Sequence, residues 1–194
     1  MREICGYTVE EYIHLIESFH GYLAPGLLIG GFMIDEATRE LPEGEIFDAI
    51  CETRVCLPDA VQILTPCTVG NGWLKIFDFG RFAVTVFQKN TGDGLRVFVD
   101  AQKLAQWGEI DGWFLKKTAR KEQNTELLIE QIKQADTTIL SRQKVRIKEE
   151  HLKKQKTGAV GICPICGESY PTRDGEMCRS CAGGCPYVML ADKE

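Results

Sequence analysis

The sequence predicts an α+β protein: an N-terminal domain of helices packed on an antiparallel sheet, a long connecting helix, and a small cysteine-rich domain at the C-terminal end. Three observations predict it. Apolar residues recur at helical spacing behind a capping signal at Thr8. Runs of β-branched and aromatic residues, separated by glycine-rich turns, follow from Ile46 onward. The last quarter carries two Cys-x-x-Cys pairs.

Thr8 and Glu11 form a capping box, and Val9, Tyr12, Ile13, Ile16 and Phe19 share one face of the helix that follows, which stops near His20-Gly21. Pro25 suits a first helical position and opens a second helix toward Leu41. Gly26, Gly30 and Gly31 each cost that helix about 1 kcal/mol of intrinsic propensity, so their expected use is close backbone packing. Ile46–Val55, Trp73–Phe77, Phe82–Gln88 and Leu95–Val99 read as strands, with turns at Gly80 and Asn90–Gly94. Asp59–Leu64 reads as one or two helical turns. Trp113 to Thr157 contains no Gly or Pro, and Leu128, Ile132, Ala135 and Ile139 fall on one stripe, which predicts a long amphipathic helix, or two helices with a small break. The domains expected are 1–115 (core), 116–157 (basic helical linker) and 158–194 (cysteine-rich domain).

Charge divides the chain the same way. The net charge of −5 splits into −9 over residues 1–115, +6 over 116–157 and −2 over 158–194. The basic middle suits neutralisation of acidic neighbours within a dimer, and a solvated helix face is favoured over a nucleic-acid surface because six acidic residues are interspersed. Arg2, Glu3 and Gly6 deny the N-terminus the apolar core of a signal peptide. The longest apolar stretch, Leu23–Ile34, is broken by Pro25 and three glycines, short of the roughly 20 residues that span a bilayer. The expectation is a cytoplasmic protein with no membrane segment, so its nine cysteines are read as metal ligands or packed thiols before disulfides.

Cys163-Pro-Ile-Cys166 and Cys178-Arg-Ser-Cys181 lie eleven residues apart, a separation that aims four thiolates at one tetrahedral zinc ion. The tail has few large apolar side chains, and structural zinc supplies about 10–16 kcal/mol to such segments. A treble-clef or zinc-ribbon-like domain is expected, with a short hairpin between the pairs and no open position for catalysis; Cys185 ranks behind the four as a ligand.

Two further segments carry chemistry: Phe19-His20-Gly21-Tyr22-Leu23-Ala24-Pro25-Gly26, and Cys56 to Gly72 with Asp59, Gln62, Cys67, Thr68 and Asn71. Taken alone, a lone His or Cys of this kind is more often packed than ligating. Together the segments resemble the signatures of the FmdE-like family, named for the FmdE component of formylmethanofuran dehydrogenase. Its motifs read Phe-His-Gly-His-x-Cys-Pro-Gly and Cys-x-x-Asp-Ala-x-Gln followed by Gly-Cys-Thr-x-Gly-x-Gly. The resemblance spans residues 15–100, and some relatives also end in a four-cysteine zinc domain. It implies an α+β core, an intertwined homodimer, and a cleft where His20, Cys67 and Cys56 hold a second metal, lined by Asp59, Gln62, Thr68 and Asn71. This chain departs from the motif at Tyr22 (His), Ala24 (Cys) and Pro66 (Gly), losing two ligands.

The function expected is that of a metal-binding accessory or regulatory protein, with protein contacts through the zinc domain. A metal-dependent enzyme using His20 and Cys67, and a nucleic-acid-binding zinc-finger protein, are the competing readings. The chain has no ferredoxin-type cysteine run, which argues against a catalytic component.

Overall fold

The computed structural model describes residues 2–42, 44–152 and 158–188. It divides into two compact units, residues 1–152 and 153–194.

The first unit opens with a two-stranded ribbon, β1 (Glu3–Ile4) and β2 (Tyr7–Thr8), that leads into α1 (Val9–His20). The expected capping box is present: the Thr8 hydroxyl accepts from the Glu11 amide, and the Glu11 carboxylate accepts from the Thr8 amide. The helix ends at Gly21, which takes a left-handed conformation with φ of 90°. Next comes α2 (Pro25–Thr38), buried along almost its whole length. Its glycines do what the sequence suggested. A Cβ added to Gly31 would lie 2.2 Å from the Tyr12 ring, and one added to Gly30 would lie 2.7 Å from Ala60, so α1 and the later α3 close directly on the α2 backbone.

The sheet has the order β4-β3-β5-β6-β7, built from β3 (Phe47–Cys51), β4 (Leu74–Ile76), β5 (Ala83–Gln88), β6 (Asp93–Val99) and β7 (Leu140–Arg146). It is mixed and not wholly antiparallel. Between β3 and β4 the chain crosses over through α3 (Leu57–Leu64), so β4 runs parallel to β3, while every other pairing is antiparallel. One face buries Val84, Val86, Leu95 and Val97 in the core with Leu27, Leu28 and Phe32 of α2.

The long connecting helix does not form. Residues 113–152 instead close α4 (Gly108–Phe114), then make α5 (Thr125–Ala135), a 3-10 turn to Ile139, the edge strand β7 and the short α6 (Glu149–Leu152). The apolar stripe is real, since Leu128, Ile132, Ala135 and Ile139 are all buried, but the helix stops at Asp136, which has a φ of 48°. The β-branched Thr137-Thr138-Ile139 that follow disfavour helix, and seven residues of ladder to β6 outweigh the absence of a helix breaker. Three of the basic residues of this segment, Arg142, Lys144 and Arg146, therefore sit on a sheet edge, where Arg and Lys discourage pairing with other chains. Arg146 pairs with Asp93 at 2.6 Å and Arg142 with Glu36 at 2.7 Å, so two of these cations meet acidic residues of the same chain.

In the second unit, β8 (Val160–Ile162) pairs antiparallel with β9 (Ser169–Pro171), and a helical turn follows at Ser180–Gly184. The hairpin encloses the first Cys-x-x-Cys pair; it does not lie between the two pairs as expected, because β8 precedes Cys163. No helix among the described residues is long and apolar enough to cross a membrane.

Candidate metal centre and core cleft

The tail hairpin turns tightly at Cys163–Glu168. The Cys163 amide donates to the Glu168 carbonyl at 2.8 Å, and the Gly167 amide to the Cys163 carbonyl at 2.9 Å, with Gly167 in the left-handed region. This knuckle presents Cys163 and Cys166, while Cys178 and Cys181 come from the turn that starts the final helical segment. All four sulfurs lie within 4.8 Å of one another. The Cys166 and Cys178 sulfurs are 3.8 Å apart. An ion with metal–sulfur bonds of about 2.3 Å in tetrahedral geometry separates its ligands by about 3.8 Å.

Backbone amides complete the surroundings: Cys178 N–H points at the Cys163 sulfur (3.5 Å) and Cys181 N–H at the Cys178 sulfur (3.4 Å). Amides of Cys166 and Cys178 hold the Cys163 thiol down at about 6, while the neighbouring Cys178 thiol pushes Cys181 up to about 12. Four thiols this close resist sharing several negative charges without a cation between them. The donor set fits a soft, four-coordinate divalent ion such as zinc, with every position taken by sulfur. Cys185 stands outside the group and donates its thiol to the Tyr187 carbonyl at 3.0 Å.

In the core, His20 closes α1 and Asp59 lies in the first turn of α3; Nδ1 of His20 meets Oδ2 of Asp59 at 2.9 Å. The His20 ring packs on Tyr22, centroids 4.9 Å apart. Cys56 precedes α3 in a γ-turn, with φ 56°, ψ −52° and the Leu57 amide bonded to the Val55 carbonyl, a strained conformation for a residue with a Cβ. Its sulfur lies against the start of α2, where a Cβ on Gly26 would come within 2.9 Å of it. Burial first, and then Asp59, raise the Cys56 thiol, so it is protonated at neutral pH.

Cys67 is not part of this corner. It follows the far end of α3, a helix of eight residues and therefore about 12 Å long. Its buried thiol faces the Phe47 carbonyl at 3.5 Å, and burial pushes it up to about 11. Gln62, Thr68 and Asn71 are occupied in shaping the 66–73 loop: Asn71 accepts from the Thr68 and Trp73 amides and donates to the Pro66 carbonyl, and Gln62 accepts from the Val69 amide. Among the described residues the four tail cysteines are the only group with metal-ligand proximity. No group of three or more ligating side chains at that proximity includes His20, Cys56 or Cys67 among the described residues.

Beside Cys56 opens a cleft of about 520 Å³ that the sequence did not reveal. Its walls include Arg81, Phe82, Arg96, Trp113 and Lys116, drawn from the loop before β5, from β6 and from the end of α4. No local motif joins residues so scattered.

Residues 19–149 match the protein family described as "FmdE, Molybdenum formylmethanofuran dehydrogenase operon", and residues 154–188 match its "FmdE treble clef zinc finger". The crystal structure of a tungsten formylmethanofuran dehydrogenase FmdE-like protein from Syntrophus aciditrophicus superposes with a TM-score of 0.89 at 52% identity, covering 96% of this chain and 98% of that one. A "Probable S-adenosyl-L-methionine-binding protein" of Archaeoglobus fulgidus is 29% identical over 188 residues, 86% of this chain and 51% of that protein, so the chain spans about half the length of that curated relative.

Proposed function

Because the chain belongs to the FmdE family, we propose that it is an accessory or regulatory protein in which a zinc-ordered tail serves contacts with other proteins and the core cleft receives a small ligand. The observation that carries this is the tail geometry: four sulfurs within 4.8 Å of one another, one pair at 3.8 Å, enough to fill all positions of a four-coordinate ion, as in a zinc site that builds structure. Each side chain then has a definite task. Cys163, Cys166, Cys178 and Cys181 hold the ion, the hairpin and final turn hang from it, and the amides of Cys178 and Cys181 point at the sulfurs of Cys163 and Cys178.

The core favours ligand binding over metal-assisted chemistry. His20 is held by Asp59, Cys56 is a protonated thiol, Cys67 is remote, and the residues at Tyr22 and Ala24 bring no further ligand. The name of the Archaeoglobus relative supports a small organic ligand. A homodimer belongs to the same proposal, and light scattering on the full chain tests it. The zinc assignment is tested by metal analysis of the purified protein. One zinc per chain, absent from a Cys166→Ser/Cys178→Ser variant, supports the reading; a metal-free wild type overturns it.

A further inference from the structure

The core cleft has walls of a consistent kind. Phe82 and Phe114 meet edge to face at 5.8 Å, and Trp113 tilts against Phe114 at 6.0 Å. Phe98 lines the same cleft, with the Arg96 guanidinium 4.8 Å over its ring. These rings give the cleft an aromatic lining suited to a flat apolar body.

The charge at its mouth is positive. Glu52 is the acid in contact with the cleft's guanidinium groups, and it is shared: Arg96 holds both of its oxygens, at 2.7 and 2.9 Å, and Arg81 holds one at 2.7 Å. Two guanidiniums on one carboxylate leave one positive charge in excess. Lys116 adds a second: it is exposed, lines the cleft just past α4, and has no carboxylate partner among the described residues. Arg81 is also well exposed, with its guanidinium over the face of Phe79. At the floor lies the strained γ-turn of Cys56, the kind of backbone outlier that concentrates at ligand sites.

We propose that this cleft binds an aromatic anion, a planar ring system bearing a carboxylate or phosphate, with the ring between Phe82, Phe98 and Trp113 and the acid group against Arg81 and Lys116. The proposal rests on the reading of the cleft as a ligand site and adds the ligand's chemical class. Both ends are needed. The rings alone would accept a neutral body equally well, and exposed cations alone would bind inorganic anions weakly. Because the acid group meets a partly open mouth, its contribution falls as salt rises.

The test uses the full-length, zinc-loaded protein. Tryptophan fluorescence and calorimetry follow binding of 2-naphthoate and adenosine monophosphate, each beside its neutral counterpart, 2-naphthylmethanol and adenosine. The expected result is that one or both anions bind at least threefold tighter than their neutral partners at low salt, with the gap closing at high salt; which anion leads distinguishes carboxylate from phosphate. Lys116→Gln with Arg81→Gln erases the gap, and Trp113→Leu weakens ring binding of every probe. Equal binding of charged and neutral probes, or anion binding unchanged in the Lys116/Arg81 variant, overturns the proposal. Zinc content read on the same samples separates the two readings: normal zinc with no anion preference removes only the cleft's ligand class, and absent zinc with intact preference removes only the tail reading.

Discussion

Tyr12 of α1 lies directly over Gly31 of α2, so close that a Cβ at position 31 would meet its ring at 2.2 Å, and its hydroxyl donates to the Leu27 carbonyl at 2.8 Å. A helical Gly→Ala change ordinarily gains about 1 kcal/mol. Here Gly31→Ala is predicted to destabilise by about 2 kcal/mol, because the buried tyrosine has no room to yield. Tyr12→Phe keeps the packing and removes only the hydroxyl's bond to the Leu27 carbonyl, for a loss of about 1 kcal/mol. Urea unfolding of the three proteins checks the order wild type, Tyr12→Phe, Gly31→Ala.

Glu52 gives the core a pH dependence. Burial pushes its carboxyl up, but the Arg96 hydrogen bonds and charge, with Arg81 added, outweigh this and hold it below the ordinary 4.5. A depressed folded value stabilises the fold above the unfolded one, and that contribution is lost as pH falls through the folded value. Glu52→Gln is therefore predicted to cost about 2 kcal/mol at neutral pH and progressively less in acid, as pH falls through the folded value. Denaturant midpoints at both pH values measure the narrowing.

Local signals were legible. The Thr8–Glu11 box, the Gly21 stop, the packing glycines and four of the five sheet strands follow from spacing and turn chemistry in short windows. What was not legible depends on distant partners. Residues 140–146 have no strand signature of their own and become β7 because β6 offers an edge, and β4 runs parallel because α3 carries the chain back across the sheet. The same holds for the sites. The four tail cysteines declare themselves by paired spacing. The cleft at Cys56 is assembled from residues between Gly26 and Lys116, and Cys67, which a motif placed beside His20, is set apart by the length of one helix.

Removing metal acts on one unit. Chelation of the full chain is predicted to raise amide exchange across residues 158–188 and to leave the sheet and α2 protected, since among the described residues of the tail only Cys163 and Tyr170 are buried. Hydrogen exchange resolved by segment reads this directly.

His20→Ala removes the Asp59 contact. Its predicted effect is a loss of about 1 kcal/mol in stability, within the usual range for one partly exposed hydrogen bond, with metal content unchanged. Thermal unfolding and elemental analysis of the same preparation check both halves.

The most direct test is the number of zinc ions per chain in wild type, His20→Ala and Cys166→Ser/Cys178→Ser protein. One, one and none is the result predicted for a single tail site of four thiolates. A wild type with no zinc, or a double cysteine variant that keeps a full equivalent, would contradict it.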